Sequence, residues 1–426
     1  MSVNNGLALT PPLGWNSWDC YGTTVREDEV KANADFMAAR LAQYGWNYIV
    51  VDIQWYEPNA QAHGYRENAE LVTDGFSRVL PAVNRFPSAA NDAGFKPLAD
   101  YLHSLGLKFG IHIMRGIPRQ AVRQNLPILN TPYHAQDIAN IDSPCPWNSD
   151  NFGLDMSKPG AQAYYDSIAA LYASWEVDYI KADDMLYPYH DDEIAALHQA
   201  IQKTKRAMLL SLSPGRQLTT DHYEHLRQNC ELFRLSDDFW DRWEDLKDQF
   251  ERCNTWAAFT GVGCWADADM LPLGHIGIRA ERGVDRQSLL THAEQVTLMT
   301  LWVISRSPLM FGGDLPSSDD STITLLSNAD VLQVQRASRD NHQLFRHEEQ
   351  VGWIATATDS EDRYLALFNI GDTESSLIEV DLSMLGAGNR YAVRDLWDKS
   401  DLGVIEGSFR QQIAPHAAKL FRLSVP

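Results

Sequence analysis

Over the first three quarters of the chain, short apolar runs rich in β-forming residues alternate with longer amphipathic stretches. Parallel strands joined by helical crossovers produce that rhythm, and few other architectures tolerate it. The candidate strands fall at 12–15, 48–52, 108–113, 179–183, 208–213, 232–236, 265–271 and 309–312. Helix candidates lie between them at 27–44, 95–104, 159–175, 192–203, 221–229, 243–255 and 288–303. Several of these open on Asp, Ser or Pro, as helix starts do. In the first, Val30, Ala34, Phe36, Met37, Leu41 and Tyr44 recur at helical spacing, and Gly45 follows where a left-handed cap is wanted. Eight strands with alternating helices close most naturally into a (β/α)₈ TIM barrel.

Beyond about residue 322 the texture changes. One more helix is expected at 325–337, followed by short alternating runs at 352–358, 363–369, 377–381, 391–395 and 411–423. Turn residues separate these runs and no helix lies between them, which predicts a C-terminal antiparallel β-sandwich. A chain of 426 residues has room for both units. The expected boundaries are 1–325 for the catalytic barrel and 326–426 for the β domain.

The formal charge of −21, with no stripe of Lys and Arg to override it locally, argues against nucleic acid and anionic membrane surfaces as partners. A neutral or cationic small molecule is the better substrate class, and association between copies of the chain is left open. No tract is apolar for long enough to span a bilayer. Residues 1–13 lack the basic start, apolar run and small-residue cleavage site of a secretory leader, so a cytoplasmic location is expected. Five scattered cysteines with no CxxC pair argue against a zinc site and a disulfide framework, and predict free, mostly buried thiols. Thirteen Trp and sixteen Tyr fit a site where rings stack on sugar CH faces, though most aromatic residues serve the core.

An Asp that closes an apolar barrel strand stands where such barrels do their chemistry, at the carboxyl ends of the strands. Asp52, Asp183 and Asp238 all fit that description. A single acid there serves equally well to cap the next helix, but three at corresponding strand ends favour a site. Along 179–184, alternation sends Lys181 and Asp183 to the same side, and a cation beside a carboxylate keeps it ionised, as a nucleophile requires. Along 233–241, Arg234, Ser236 and Asp238 share a side in the same way. Of two facing carboxyls, the one nearer a cation holds its charge and the other carries the proton, which casts Asp183 as nucleophile and Asp238 as acid and then base. Carboxyls roughly 5 Å apart would mean retention through a glycosyl-enzyme.

These motifs resemble glycoside hydrolase family 27, the α-galactosidases, α-N-acetylgalactosaminidases and their relatives. The likeness runs over essentially the whole chain: Thr10–Trp18 is similar to the family's opening strand, Tyr179–Asp184 to its nucleophile strand, and Arg234–Trp243 to its acid/base segment. Trp265–Leu271 and Ser307–Met310 are similar to its last two strands. The resemblance implies a (β/α)₈ barrel followed by an antiparallel β domain, and a retaining exo-glycosidase that needs neither metal nor other cofactor. It also implies that Trp18 is the platform under the sugar, that Asp52 holds the 4-hydroxyl, Lys181 the 3- and 4-hydroxyls and Arg234 the 2-hydroxyl, and that Asp269 lines the site. Asp pairs such as 191–192, 237–238 and 319–320 have no His at ligand spacing, which disfavours a metal-dependent hydrolase.

The departures from the family pattern narrow the substrate. Where typical α-galactosidases end the second strand Asp-Asp-Cys-Trp, this chain reads Asp52-Ile53-Gln54-Trp55. The acid that would grip the 6-hydroxyl of galactose is replaced by Ile53, whose bulk occupies the place of C6. β-L-Arabinopyranose is α-D-galactopyranose without its CH₂OH, so the chain resembles the β-L-arabinopyranosidase branch, with α-galactosidase or α-N-acetylgalactosaminidase as the alternative. The stretch that reads the 2-substituent is Ser211–Gly215, which brings Ser213 into the expected set and alters recognition at C2. His112 stands where the family has Tyr, placed to donate to sugar or leaving group or simply to pack. With Trp55 beside Ile53, the expected substrate-binding residues are Trp18, Asp52, Ile53, Trp55, His112, Lys181, Ser213, Arg234 and Asp269. Met185 replaces the family's cysteine after the nucleophile, in keeping with a reducing compartment.

Overall fold

The computed structural model describes residues 6–386 and 388–426. The first five residues of the stretch on which the leader expectation rests lie outside them. Eight parallel strands form one curled sheet: β1 (Leu13–Asn16), β2 (Tyr48–Val51), β3 (Lys108–Met114), β4 (Tyr179–Asp183), β5 (Leu209–Leu212), β6 (Leu232–Arg234), β7 (Trp265–Asp267) and β8 (Leu309–Phe311). Each of β1 to β7 lies beside the next in sequence, and β8 pairs with β1 in the register Leu13 to Leu309. The circle closes just past β7, where Leu271 bridges to Phe311 and donates its N–H to the carbonyl of Met310 at 2.7 Å. Covered by helices outside and by side chains inside, these strands read as continuous apolar runs. Close packing is strict at Gly312, where a Cβ would fall 1.9 Å from Oδ2 of Asp19.

The crossover helices include Glu27–Arg40, Lys96–Ser104, Pro159–Ser174, Asp191–Thr204, Tyr223–Asn229, Trp243–Trp256 and His292–Ser305. The first is shorter than expected: the α-helix stops at Arg40 and a 3-10 turn, Ala42–Tyr44, carries the chain to Gly45 at φ 94°, the expected left-handed position. The helix expected from 288 begins at His292, because Thr291 and Glu294 form a reciprocal capping box there. The helix expected over 325–337 is two helices, Asp320–Leu326 and Ala329–Arg336, the second opened by Asn328 accepting from the Val331 N–H. An unforeseen excursion follows β3, a small antiparallel sheet of Ile117–Pro118, Ala139–Pro144 and Asn151–Leu154.

From Ser338 the chain builds a sandwich. A six-stranded antiparallel sheet comprises β9 (Ser338–His347), β10 (Gln350–Ala357), β11 (Arg363–Asn369), β13 (Arg390–Asp395), β14 (Ser400–Glu406) and β16 (Ala418–Ser424), in the order β9-β10-β11-β16-β13-β14. A second sheet pairs β12 (Ser376–Asp381) with β15 (Ser408–Ile413). The single run expected at 411–423 is therefore two strands of different sheets, parted at Ala414–Ala417. Strands β9 and β14 escaped the sequence pattern because they are the two edges of the sheet, where polar residues replace buried alternation.

Period-2 alternation gives the larger sheet two apolar faces. Leu365, Leu367 and Phe421 face the β12–β15 pair and pack with Ile378, Val380 and Phe409. Tyr364, Ala366, Phe368 and Leu420 face the other way, into the core shared with the barrel, where Phe368 meets Phe250 edge-on at 5.0 Å. Phe368→Ala is expected to cost about 3–5 kcal/mol of stability, measured as a lowered denaturation midpoint. A cost below about 1 kcal/mol would mean that the sandwich does not lean on the barrel through this face.

Candidate active site

A cavity of about 480 Å³ opens at the carboxyl ends of the barrel strands, and Trp18, Asp52, Ile53, Lys181, Asp183 and Asp238 line it together. Trp18 follows β1, Asp52 and Ile53 follow β2, Asp183 ends β4 and Asp238 follows β6, so residues far apart in sequence converge because the barrel aligns its strand ends.

Lys181 projects inward from β4, but the carboxylate it grips is Asp52, at 2.8 Å, not its strand neighbour Asp183. Asp52 also accepts from Asn16 Nδ2 at 2.7 Å and from the N–H of Ile53 at 2.8 Å. Burial alone would raise the Asp52 carboxyl; the charges of Lys181 and His112 and these hydrogen bonds outweigh it and hold the group below the usual carboxylate range. Asp183 is served by the neighbouring strand, since His112, in register with Lys181, brings Nε2 to Asp183 Oδ2 at 3.2 Å. The N–H of Asp184 donates to Oδ1 at 2.9 Å. Against burial, His112 first and Lys181 after it keep Asp183 strongly on the ionised side. His112 itself is wholly buried and touches the carboxylate without lining the cavity.

Asp238 also has a cation beside it, which corrects the expectation that a cation would distinguish Asp183. Arg234 Nη2 stands 3.3 Å from Asp238 and 2.8 Å from Asp269, so its charge is shared. Asp269 is buried, accepts from the N–H of Phe239 at 2.7 Å and sits at φ 85°, a strained position for a residue with a Cβ. Exposure separates the two candidate catalytic acids instead: the side chain of Asp238 is 38% exposed and that of Asp183 16%. One faces the mouth, the other the floor.

Of the remaining expected residues, Arg234 and Asp269 stand behind Asp238, and Ser213 is buried while its neighbour Pro214 lines the cavity. Trp55 is a correction. Its indole is fully buried, donates to the carbonyl of His112 at 2.7 Å and packs edge-on against Phe95 and Trp175, between strand and helices. It supports the site from behind and reaches no cavity.

The sequence reading missed the upper wall. Tyr65 stacks on Trp18 with ring centres 6.0 Å apart, and Trp147 leans on Tyr65 at 5.7 Å. Burial, reinforced by the charges of Asp238, Asp183, Glu281 and Asp52, pushes the Tyr65 phenol well above its ordinary range, so it stays protonated among the acids. Tyr187, Arg216, Glu281 and Arg282 complete the rim. All six sit on loops without periodicity, and the excess of aromatic residues was the one available signal. Asp19 was missed too: burial beside Gly312, then the charges of Asp269 and Asp238, push its carboxyl well up.

Among the described residues, the one His, Asp and Glu cluster compact enough for a metal is Asp100, His103 and Glu176. These lie on the helix before β3 and the turn before β4, at the amino end of the barrel. No helix among the described residues is long and apolar enough to cross a membrane, and all five cysteines are buried and unpaired.

Residues 152–337 match the family profile for alpha galactosidase A, and 349–423 match that of the alpha galactosidase C-terminal beta sandwich domain. Alpha-galactosidase 2 of Arabidopsis thaliana is 25% identical over 433 residues, spanning 100% of this chain and 92% of its own. A solved protein from Bacillus halodurans, suggested to be an α-N-acetylgalactosaminidase, is 47% identical with a TM-score of 0.89 and covers 100% of both chains. A GH27 β-L-arabinopyranosidase from Geobacillus stearothermophilus is 51% identical with a TM-score of 0.96, covering 98% of this chain and 97% of its own. With half its residues shared across nearly the full length of that enzyme, the chain belongs to glycoside hydrolase family 27 and is a glycosidase.

Proposed function

We propose that this protein is a retaining exo-glycosidase that releases terminal β-L-arabinopyranose. The observation that carries the choice of sugar is Ile53, which lines the cavity beside Asp52. A galactoside would bring its CH₂OH against this alkyl wall and leave the hydroxyl unpaired, at a cost of about 1–3 kcal/mol. A pentopyranose presents only a ring CH₂ there. The 51% identical relative described as a β-L-arabinopyranosidase supports the same reading. α-Galactosidase or α-N-acetylgalactosaminidase activity is the second reading, favoured by the names of the Arabidopsis and Bacillus halodurans relatives.

In this reading Asp183 attacks the anomeric carbon while Asp238 gives its proton to the departing oxygen, forming a glycosyl-enzyme ester. Asp238, now a base, takes a proton from water, which attacks the same carbon and returns Asp183 as a carboxylate. The environments suit these parts: Asp183 is enclosed and held ionised, whereas Asp238 faces the mouth through which leaving group and water pass. Asp52 and Lys181 would receive the 3- and 4-hydroxyls, and Trp18 the ring's apolar face.

The first test is kcat/KM of the protein on p-nitrophenyl β-L-arabinopyranoside and α-D-galactopyranoside side by side. A preference of about tenfold or more for the arabinoside is expected, equal to about 1.4 kcal/mol; a preference for the galactoside would sink the pentose assignment. Ile53→Asp should move the ratio toward the galactoside, and an unchanged ratio would remove Ile53 as its cause.

Asp183→Asn should abolish nearly all turnover in a folded protein, and substantial residual activity would refute its role as nucleophile. Asp238→Asn should lose about 10²–10⁴-fold on unactivated glycosides and less on p-nitrophenyl substrates, whose leaving group needs no proton. Equal losses on both would count against Asp238 as the acid.

His112→Phe removes the hydrogen bond and charge that offset burial at Asp183, so that carboxyl should titrate higher. The acidic limb of the kcat/KM profile should then move to higher pH. A limb that stays in place would mean that Lys181 suffices to hold Asp183 ionised.

A further inference from the structure

The bond-breaking chemistry leaves unused a buried arginine behind the nucleophile. Arg115, 2% exposed, is the first residue after β3. Its own N–H donates to the carbonyl of Asp183 at 3.0 Å. Its Nε donates at 2.9 Å to both the carbonyl and Oδ2 of Asp184, and Nη2 stands 2.8 Å from the same Oδ2. The peptide joining Asp183 to Asp184 is thus held at its oxygen by the Arg115 backbone, and the residue beyond it by the Arg115 side chain. It is the same peptide whose N–H donates to Asp183 Oδ1 at 2.9 Å. Asp184 sits at φ 63°, in the left-handed region that residues with a Cβ enter at a cost and that Asp and Asn tolerate better than most. The guanidinium contacts offset that cost.

The arginine is itself immobilised. Nη1 donates to Glu193 Oε1, on the helix Asp191–Thr204, at 2.5 Å, and Nη2 to the carbonyl of Ser143 at 3.2 Å. Glu193 accepts with its other oxygen from the Tyr165 hydroxyl at 2.7 Å and from the N–H of Leu154 at 3.2 Å. Ser143 and Leu154 belong to the small antiparallel sheet that follows β3, so that excursion closes over the guanidinium. The fit leaves no slack: a Cβ on Gly153 would fall 2.1 Å from Nη1. A lysine could not copy the arrangement, because one ammonium cannot fork between Asp184, Glu193 and a carbonyl.

We propose that Arg115 and Asp184 are positioning residues for the nucleophile, a strut that fixes the peptide N–H by which the Asp183 carboxylate is aimed at the anomeric carbon. The carboxylate is gripped at Oδ2 by His112 and at Oδ1 by this N–H. Loosening the second grip frees the carboxylate plane to turn, and a misplacement near 1 Å costs about 10²-fold in rate. The inference rests on the reading of Asp183 as nucleophile, but not on which sugar is released.

The test uses whichever p-nitrophenyl glycoside, β-L-arabinopyranoside or α-D-galactopyranoside, the wild type hydrolyses faster. Asp184→Gly keeps the left-handed backbone without strain and removes the carboxylate that Arg115 grips, so kcat/KM should fall about tenfold. Asp184→Asn, which offers the guanidinium an amide oxygen, should recover most of that loss. Arg115→Met should lose about 10²-fold; if it does not fold, the two Asp184 variants carry the comparison. Each change is then placed in an Asp183→Gly background, where added azide attacks the anomeric carbon in place of the carboxylate and p-nitrophenolate leaves. Azide needs no aimed side chain, so its rate should be the same with and without the second substitution. An azide rate that falls in parallel with hydrolysis would mean a general disturbance of the site and would overturn the strut. Undiminished kcat/KM in Asp184→Gly, or an Asp184→Asn protein as impaired as the Gly variant, would overturn it as well. If Asp183→Gly alone forms no glycosyl azide of inverted configuration, the nucleophile reading fails and the strut with it. That outcome stands apart from the others, because it appears with Arg115 and Asp184 intact.

Discussion

Everything in the barrel mouth is arranged around buried carboxyls that outnumber buried cations. Asp19, Asp52, Asp267 and Asp269 are buried inside the strand ends with Arg234, and the partly buried Asp183 and Lys181 stand among them. An unpaired charge there would cost several kcal/mol, so each acid must be matched or must keep its proton. Lys181 goes to Asp52, and Arg234 divides itself between Asp269 and Asp238. Asp267, with burial and Asp269 against it, is raised to about 7, and burial pushes Asp19 well up too. Charge is thereby confined to chosen oxygens. Asp183 is held on the ionised side because His112, opposite Lys181 on the next strand, reaches it.

This explains how much of the site could be read beforehand. Asp183 and Lys181 were legible because β4 alternates and ends on an acid, and Asp52 because an apolar run stops there. Which acid Lys181 would choose was not legible, because the choice depends on the curvature that brings β2 and β4 together behind β3. Trp55 misled for a related reason: its place next to Ile53 says nothing about the turn that sends its indole outward among Phe95 and Trp175. The rim was invisible. Tyr65 lies in the long irregular stretch after β2 and Trp147 in the loop between two strands of the excursion sheet, and a loop residue's destination is set by contacts remote along the chain.

The same logic holds for the fold. The barrel strands announced themselves through continuous apolar runs, since both of their faces are covered. In the sandwich, β10 and β11 were found and the edge strands β9 and β14 were not, because an edge strand has little to bury. The helix ends shifted where side-chain caps, Thr291 and Asn328, overrode the apolar period.

The two-faced sheet of β10, β11 and β16 has a consequence for how the molecule moves. One face belongs to the sandwich and the other is sunk in the barrel core around Phe250 and Trp353. A unit anchored in this way cannot swing over the mouth as a hinged lobe would, since any rotation would strip apolar surface from both cores at once. What borders the cavity mouth is instead the barrel's own loops, those bearing Trp147, Tyr187 and Glu281. Any opening or closing of the mouth must come from those loops and not from a movement between domains.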